Sequence, residues 1–387
     1  MKRILYSAAL LLALLATGCG DANQKPSGLP QIDMNADYPE KEICLQDVAE
    51  VNYVPLETTE EMLVAESAEV QSVSSKGIAI KHQPGNMKWE SLIFHRNGKG
   101  WLKLDKEGQG PDEYDRMLSL VVDWNQEQIF VESFKKMDVY SFELKHLNQF
   151  EKKWHAERDY VYDLSDDKLV LFSTKRGESY RPIILISKKD GQVDSLSYVM
   201  KKKMNQVIGG GGMQFSVPFM SAWSQGGDVF IDDASCDTIY CLDAVTEQLV
   251  PILVHTPAFE SGEETEFVLK MKGRTSRYYL LRLESKHLPM EGNKVIDTKS
   301  KYLMYDRSDN KAFCPKFKNQ DYPAQTTERK FGFLHCSGEK NTFYAWLQAH
   351  HLIEALEAGE LSGELKTIAE GLKEDDNPVL MVVKFNE

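Results

Sequence analysis

The segment Ser91–Tyr114, SLIFHRNGKGWLKLDKEGQGPDEY, contains a unit that recurs along the chain. Its two apolar runs, Leu92–His95 and Gly100–Leu104, predict short β-strands. Arg96–Lys99 joins them and includes an Asn-Gly pair, which tolerates the positive φ angles of a hairpin turn. Gly108–Pro111 ends the pairing, because proline has no backbone N–H to donate. The segment therefore predicts a β-hairpin followed by a sharp exit.

Variants of this unit follow one another at a period of about 40 residues, which is typical of propeller blades with four strands each. Four such sets are predicted at residues 70–104, 118–150, 160–198 and 219–254. A fifth and less regular set is predicted from strands at residues 278–283, 301–305 and 311–314.

The last set contains a helical pattern. Thr342–Leu347 and Val379–Phe385 are its strand candidates, and between them the apolar residues of His350–Leu372 recur at steps of three and four, which predicts helix. Asn52–Leu56 has no set of its own, so we expect it to pair with the last blade, because closing the ring removes exposed sheet edges. The predicted fold is all-β, a six-bladed β-propeller over residues 41–387 with a small helical insertion in the last blade.

The N-terminus has the features of a bacterial export signal. Two basic residues precede an apolar run, Ile4–Ala16, that is too short for a membrane-spanning helix. Ala16–Cys19 resembles the lipobox of bacterial lipoproteins, although that pattern usually has Leu where Ala16 stands. The resemblance implies that residues 1–18 are a lipoprotein signal peptide and that Cys19 is lipidated. The alternative is an ordinary secretory leader.

The residues after Cys19 predict a tether. Residues 20–40 are rich in Gly, Pro, Asn, Asp and Gln and have no apolar period, which predicts a flexible linker before the propeller. Several acyl chains on Cys19 would hold the protein stably on a membrane surface. The predicted location is the bacterial cell envelope, lipid-anchored, with the outer membrane favoured.

The composition indicates a folded, acidic protein. Of the 387 residues, 42% are hydrophobic and 10% aromatic, which is enough for a large core, and the net charge is −13. Such acidity argues against nucleic-acid binding, which depends on Lys and Arg neutralising phosphates. Five cysteines remain besides Cys19, and Cys236 and Cys241 are too far apart for a disulfide if they lie on one strand.

Three segments together resemble a known family. They are VNYVPLETTEE at residues 51–61, GQGPDEY at residues 108–114 and DDNPVLMVVKFNE at residues 375–387. With the lipobox, they look like the six-bladed β-propeller lipoproteins of Gram-negative bacteria, a TolB-like and NHL-like propeller family. The resemblance implies the fold and an envelope location. It implies little about chemistry, because most members of that family have no assigned activity.

Three residues are candidates for ligand binding. Trp89 lies in a polar loop, where its ring could stack on a sugar or a peptide. Glu113 and Tyr114 end the GQGPDEY segment, where the structural alternative is a sharp turn with Tyr114 packed between blades and Glu113 making a hydrogen bond. Gly209–Gly212 lacks the context of a phosphate loop and is predicted to be an interblade loop.

No catalytic residue and no defined metal site emerge from the sequence. No cofactor is expected, with Ca²⁺ as the one candidate, because carboxylates from several blades could converge on such an ion. The aspartates near strand ends, whose usual role is turn formation, are Asp123, Asp163, Asp232, Asp233 and Asp306. His335 and Cys336 are adjacent on a predicted strand, so their side chains point to opposite faces and cannot act as a catalytic pair.

The sequence favours a binding or protein-interaction scaffold, with a protein or a glycan as partner and no nucleic acid. A Ca²⁺-dependent propeller hydrolase or lactonase and a glycan-binding accessory of a polysaccharide uptake system are the alternatives. Fold alone does not separate these functions, because propellers host many of them.

Overall fold

The protein is described here by a computed structural model. It covers residues 28–85, 88–154, 159–173, 182–198, 205–210, 213–218, 222–258, 261, 265–291, 294–297, 299–323 and 334–386. Strands dominate this part of the chain, and its few helices are short. Of those helices, none is long and apolar enough to cross a lipid bilayer.

The elements follow one another along the chain as an N-terminal segment, six blades and one additional sheet. The N-terminal segment contains β1 (Gln31–Asp33), β2 (Glu40–Cys44), α1 (Leu45–Val48) and β3 (Ala49–Pro55). Blade 1 contains β4 (Glu69–Val73), β5 (Gly77–His82), β6 (Glu90–His95) and β7 (Gly100–Leu104). Blade 2 contains β8 (Ser119–Asp123), β9 (Gln128–Glu132), β10 (Lys136–Ser141) and β11 (His146–Glu151). Blade 3 contains β12 (Asp159–Asp163), β13 (Lys168–Ser173), β14 (Ile183–Ser187) and β15 (Val193–Ser195).

The second half of the chain is less regular. A hairpin, β16 (Asn205–Gly210) and β17 (Met213–Pro218), precedes blade 4, which contains β18 (Ala222–Gln225), β19 (Asp228–Ile231), β20 (Thr238–Leu242) and β21 (Leu249–Thr256). Blade 5 contains β22 (Phe267–Arg274), β23 (Tyr278–Ser285), β26 (Lys301–Asp306) and β27 (Lys311–Lys318), and β24 (His287–Glu291) and β25 (Lys294–Val295) lie between β23 and β26 in the chain. Blade 6 contains β28 (His335–Cys336), β29 (Thr342–Leu347) and β30 (Val379–Phe385), with α2 (Ala349–Glu357) and α3 (Gly363–Ala369) between the last two strands.

The arrangement of these strands is a six-bladed β-propeller, as predicted. The blades are antiparallel sheets that begin with an inner strand at the central channel, and blade 1 has the order β4-β5-β6-β7. The hairpin predicted within Ser91–Tyr114 is β6–β7, with Ser91 opposite Leu104. The helices α2 and α3 form the predicted insertion in blade 6, and the break between them includes Gly359 at φ 71°.

Both faces of a blade are buried, because each blade packs between two neighbours. In β5, Ile78 and Ile80 pack with side chains of blade 6, whereas Ala79 packs on the other face with side chains of blade 2. This two-sided burial explains why middle strands of the blades, such as β5, β9 and β13, are largely continuous apolar runs that do not alternate with polar residues.

Ring closure occurs where the sequence predicts it. β3 pairs antiparallel with β30 along seven positions, from Ala49 opposite Phe385 to Pro55 opposite Val379. β3 is therefore the outer strand of blade 6, and the N-terminal and C-terminal parts of the propeller share one sheet.

One buried amide connects the N-terminal and C-terminal parts of blade 6. We call this junction, where β3 pairs with β30, the seam. The Asn377 side chain accepts a hydrogen bond from Val64 N at 2.8 Å and donates to Glu57 O at 2.8 Å and Met62 O at 2.7 Å. Its backbone N–H donates to Thr58 Oγ1 at 2.8 Å. The segments VNYVPLETTEE and DDNPVLMVVKFNE are thus joined by hydrogen bonds, which gives both a structural role.

Hydrogen bonds also join the seam to the β6–β7 turn of blade 1. Glu57 donates from its backbone N–H to Gly98 O at 2.9 Å and accepts from Gly100 N at 2.8 Å. Gly98 has φ +84°, and a Cβ at this position would lie 2.0 Å from Pro55 O. Only glycine fits this turn, since the backbone of blade 6 approaches so closely.

The prediction of a flexible linker up to residue 40 is wrong for its second half. β1 pairs in parallel with β21, with Gln31 opposite Val254, and β2 starts at Glu40 and pairs in parallel with β27. Ile32 and Met34 are buried in the core between blades 4 and 5. The folded domain therefore begins before residue 41, because the outer edges of two blades supply hydrogen-bond partners that the local sequence does not reveal.

Blade 5 departs most from the prediction. Its inner strand β22 was not predicted, because Phe267–Arg274 carries two lysines and an interior glycine. The chain also leaves blade 5 after β23 and forms β24 and β25, which join β16 and β17 in a separate four-stranded sheet. Gly209 and Gly210 lie in β16 and not in a loop, and residues 211–212 lie outside the described part of the chain.

Candidate functional site

The inner strands contact one another around the central channel and across it. Tyr162 of blade 3 donates from its hydroxyl to Ala222 O of blade 4 at 2.7 Å. The Cys336 thiol of blade 6 lies 3.4 Å from Ser224 O of blade 4, and Gly226 N donates to Gly338 O at 2.7 Å. Because blade 5 separates blades 4 and 6 around the ring, these last two bonds cross the channel and narrow it.

A cavity of about 420 Å³ lies beside this constriction. It is on the face of the ring where the inner strands end in turns, which we call the turn face. Five blades contribute to its wall, and the lining includes Ser72, Ser75, Trp124, Asn125, Asp163, Asp166, Ser224, Glu339 and Lys340. This volume is in the range of small-molecule sites, and the polar groups suit a polar ligand. We call it the turn-face cavity.

The most distinctive group at the turn-face cavity is an ion cluster of blades 2 and 3. The Lys188 ammonium lies 2.5 Å from Asp123 Oδ2 and 2.7 Å from Asp163 Oδ1. Asp123 is buried and accepts from the backbone N–H groups of Asn125 and Gln126, each at 3.0 Å. These bonds fix the β8–β9 turn and the orientation of the Asp123 carboxylate, whose other oxygen contacts the Lys188 ammonium.

Asp163 differs from Asp123 because it faces the turn-face cavity. Its side chain is 39% exposed, yet its Oδ1 is buried against Lys188, so the exposed polar atom is Oδ2. Burial raises the pKa of this carboxyl to about 6, although the Lys188 ammonium acts in the opposite direction. Asp163 can therefore change charge near neutral pH.

The neighbouring wall is held in place by further hydrogen bonds. Trp124 donates from Nε1 to Ser72 Oγ at 2.9 Å, and Asn125 Nδ2 lies 3.4 Å from Asp166 Oδ1. Gln126 Nε2 donates to Asp166 O at 2.5 Å. These contacts link blades 1, 2 and 3, so the lining side chains are pre-positioned and a ligand would lose little entropy in ordering them.

The candidate Ca²⁺ ligands do not converge. Asp232 accepts from Met271 N at 3.0 Å, Asp233 accepts from Ser235 N at 2.9 Å, and Asp306 forms an ion pair with Arg277. Asp123 and Asp163 lie together, but the Lys188 ammonium occupies the space between them. Across the described residues, no group of three His, Cys, Asp or Glu side chains is placed to hold a metal ion. Ca²⁺ binding stays a prediction.

Trp89, Glu113 and Tyr114 lie outside the turn-face cavity, in one cluster between blades 1 and 2. The Lys81 ammonium lies 4.4 Å from the centroid of the Trp89 ring and covers one of its faces. Tyr114 is fully buried, its hydroxyl lies 3.4 Å from Trp89 O, and it packs edge-to-face on Tyr140. Glu113 accepts from Gly110 N at 2.7 Å, inside its own turn. Their role in ligand binding stays a prediction.

The GQGPDEY segment is fixed to blade 2 by residues that the sequence analysis did not single out. Lys136 donates to Glu113 O at 2.7 Å and to the buried Asp138 at 2.9 Å, and His146 Nε2 lies 3.0 Å from the same Asp138 oxygen. Tyr140 donates from its hydroxyl to Asp112 O at 2.9 Å. The Asp138–His146 pair therefore positions a turn.

The thiols and His335 lack the setting of reactive groups. Burial raises the pKa of the Cys336 thiol to about 12 and that of Cys241 to about 12. Burial also lowers the pKa of His335, whose ring stacks on Tyr344. All five cysteines of the described residues are free thiols, including Cys236 and Cys241. A protonated thiol is a poor nucleophile, so burial disfavours Cys336 and Cys241 as nucleophiles.

Of the groups at the turn-face cavity, sequence reasoning named Asp163 only as one of five aspartates and did not name Lys188. Lys188 follows the buried strand β14 and looks like an ordinary turn lysine of the sequence KKDG. Its partner Asp123 is 65 residues away in the chain, so no local pattern indicates the pair.

Comparison with known proteins gives a family without an assigned activity. A family model described as "Domain of unknown function (DUF4934)" matches residues 29–384. No curated protein matches the chain.

Two solved structures are similar. One is a protein described as exported, from Bacteroides fragilis NCTC 9343, with a TM-score of 0.63 and 14% identity over 92% of this chain and 99% of that chain. The other is a member of the duf4221 family from Bacteroides vulgatus ATCC 8482, with a TM-score of 0.49 and 8% identity over 88% of this chain and 98% of that chain. At such identity, the first likeness shows the fold alone. Because the family model spans nearly the whole propeller, the chain belongs to the DUF4934 family.

Proposed function

We propose that this protein is an envelope-anchored propeller lipoprotein, of the TolB-like and NHL-like kind, that binds a small polar ligand in the turn-face cavity. One observation carries the proposal: a cavity of about 420 Å³ with polar groups from five blades, beside a channel that is crossed by the contacts of Cys336 with Ser224 O and of Gly226 N with Gly338 O. Hydroxyl, amide and carboxylate groups on a pre-positioned wall can make directed hydrogen bonds to a polar ligand.

A glycan is the second candidate for the ligand, as part of a polysaccharide uptake system. The serine hydroxyls and the half-buried Trp124 in the lining favour it, since sugars combine hydroxyl groups with apolar faces that contact aromatic rings. A protein partner that inserts a polar side chain into the turn-face cavity fits the same geometry.

Blocking the turn-face cavity tests its role. Ser75 lines the cavity and is exposed, so Ser75→Trp should fill part of the space without disturbing the core. We expect small sugars and amino acids that bind the wild type, measured by ligand-observed NMR and calorimetry, to bind this variant at least tenfold more weakly.

Val245→Trp is the matched control, because Val245 is 92% exposed in the β20–β21 turn and does not line the cavity. The control should bind as the wild type does. Equal affinity of wild type and Ser75→Trp would place the ligand elsewhere, and failure of the wild type to bind any compound of the panel would refute a small-ligand function.

The anchor is supported by the lipobox-like residues before Cys19 and by the exported protein from Bacteroides fragilis that shares the fold. We expect Cys19→Ala to move the protein from the membrane fraction to the soluble fraction of the envelope. Mass spectrometry of the N-terminal peptide should show acyl chains on wild-type Cys19, and Ser27→Ala serves as a control that keeps both properties. A Cys19→Ala protein that still sediments with membranes would rule out this anchor.

A further inference from the structure

We propose that the turn-face cavity selects ligands that carry a positive charge, such as a primary amine or a guanidinium group. This inference rests on the proposed binding function of the cavity and adds the charge of the ligand to it. It follows from the balance of charges in the wall and from the free oxygen of Asp163.

The wall of the turn-face cavity is acidic. Of the described residues that line it, Asp163, Asp166 and Glu339 are acidic, and Lys340 is the one basic residue. Lys188, behind the wall, does not change this balance, because its single charge is shared between Asp123 and Asp163. A partly enclosed cavity lined by one sign of charge concentrates ligands of the opposite sign.

The carboxylates stand on opposite sides of the turn-face cavity. Asp163 and Asp166 belong to blade 3, whereas Glu339 belongs to the inner turn of blade 6, which lies across a six-bladed ring. An ammonium or guanidinium group carries several N–H donors and no acceptor, so it can meet acceptors on more than one side. A neutral hydroxyl has a single donor and no charge, so it can meet only one of these acceptors at a time.

Asp163 is the strongest single contact for such a group. Lys188 contacts Oδ1 at 2.7 Å, and the side chain, which is 39% exposed, lines the turn-face cavity. A hydrogen bond between a charged donor and a carboxylate is roughly twice as strong as one between neutral groups. A pre-oriented carboxylate also loses little rotamer freedom when the ligand binds.

The proposal gives a defined dependence on pH. The charged groups around Asp163 are Lys188, Asp123 and Asp166, with Glu339 and Lys340 across the cavity. Because the pKa of Asp163 is about 6, its carboxylate is ionised at pH 7.5 and largely protonated at pH 5. Cation binding should weaken as the pH falls through this window, and bound cation should lower the pKa of Asp163.

Matched probes separate charge from shape. We would measure 6-amino-1-hexanol against 1,6-hexanediol, and cadaverine against 1,5-pentanediol, by NMR titration of the purified protein at pH 7.5, where both amines are fully protonated. The cationic member of each pair should bind at least tenfold more tightly. Asp163→Asn, which is nearly isosteric, should remove most of this preference and its pH dependence.

Asp167→Asn is the matched control, because Asp167 lies in the same turn, is exposed and does not line the turn-face cavity. It makes the same change of charge and should keep the preference for cations, and thermal melts would confirm that both variants fold. If neutral and cationic members bind equally and Ser75→Trp weakens both, the charge inference is wrong while the binding site stands. If no probe binds the wild type, or if Ser75→Trp lowers the affinity for none of the probes, the binding function of the turn-face cavity is itself wrong.

Discussion

Asn377→Ala is expected to lower the free energy of unfolding by roughly 2 to 4 kcal/mol, a large effect for a single substitution. Asn377 is buried, and its side chain satisfies Val64 N, Glu57 O and Met62 O. Alanine would leave Met62 O buried without this partner, which costs about 1–3 kcal/mol, and would remove two partly buried hydrogen bonds worth about 0.5–1.5 kcal/mol each.

Chemical denaturation followed by tryptophan fluorescence would measure this loss. Asn148→Ala is the control, because Asn148 is exposed and its amide makes only solvent-exposed contacts, accepting from Gln149 N at 2.9 Å and lying 3.4 Å from Lys189 O. Its effect should stay within about 0.5 kcal/mol. A change of less than about 1 kcal/mol for Asn377→Ala would show that the seam does not depend on this amide.

The sequence predicts those parts of the fold that depend on local signals. The hairpin β6–β7 follows from apolar runs on either side of an Asn-Gly turn, and the repeat of such runs predicts the blades. Pairing of β3 with β30 was predicted without any local signal, because a closed ring needs a partner for each terminal strand. The helical insertion was predicted from its spacing of leucines.

The remaining features depend on contacts between distant residues. β1 is three residues long and polar at both ends, and only the outer edge of blade 4 makes it a strand. The burial of Lys188 beside Asp123 arises from the packing of blades 2 and 3, and the shape of the turn-face cavity arises from five blades together. No pattern within one repeat contains this information.

The N-terminal segment is expected to be essential for the stability of the whole ring. A protein that starts after Glu57 lacks β3, so β30 loses seven paired positions and becomes an exposed edge. The deletion also removes the buried side chains of Tyr53, Val54 and Leu56 from the cores around blade 6. Each large apolar side chain contributes about 1.5–3 kcal/mol by burial, so the combined loss approaches the total stability of a typical domain. We expect no cooperative thermal transition for this protein.

A graded set of deletions separates closure of the ring from mere shortening. A protein that starts at Gly28 keeps every described strand and should melt as the full mature chain does. One that starts at Pro39 keeps β3 and loses β1 with the buried Ile32 and Met34, so it should be destabilised by roughly 3–5 kcal/mol yet still unfold cooperatively. Scanning calorimetry would order the three proteins. If the protein that starts after Glu57 had the same melting temperature as the one that starts at Gly28, the ring would not depend on β3. The parallel strands β1 and β2, on blades 4 and 5, would then have no role in stability either.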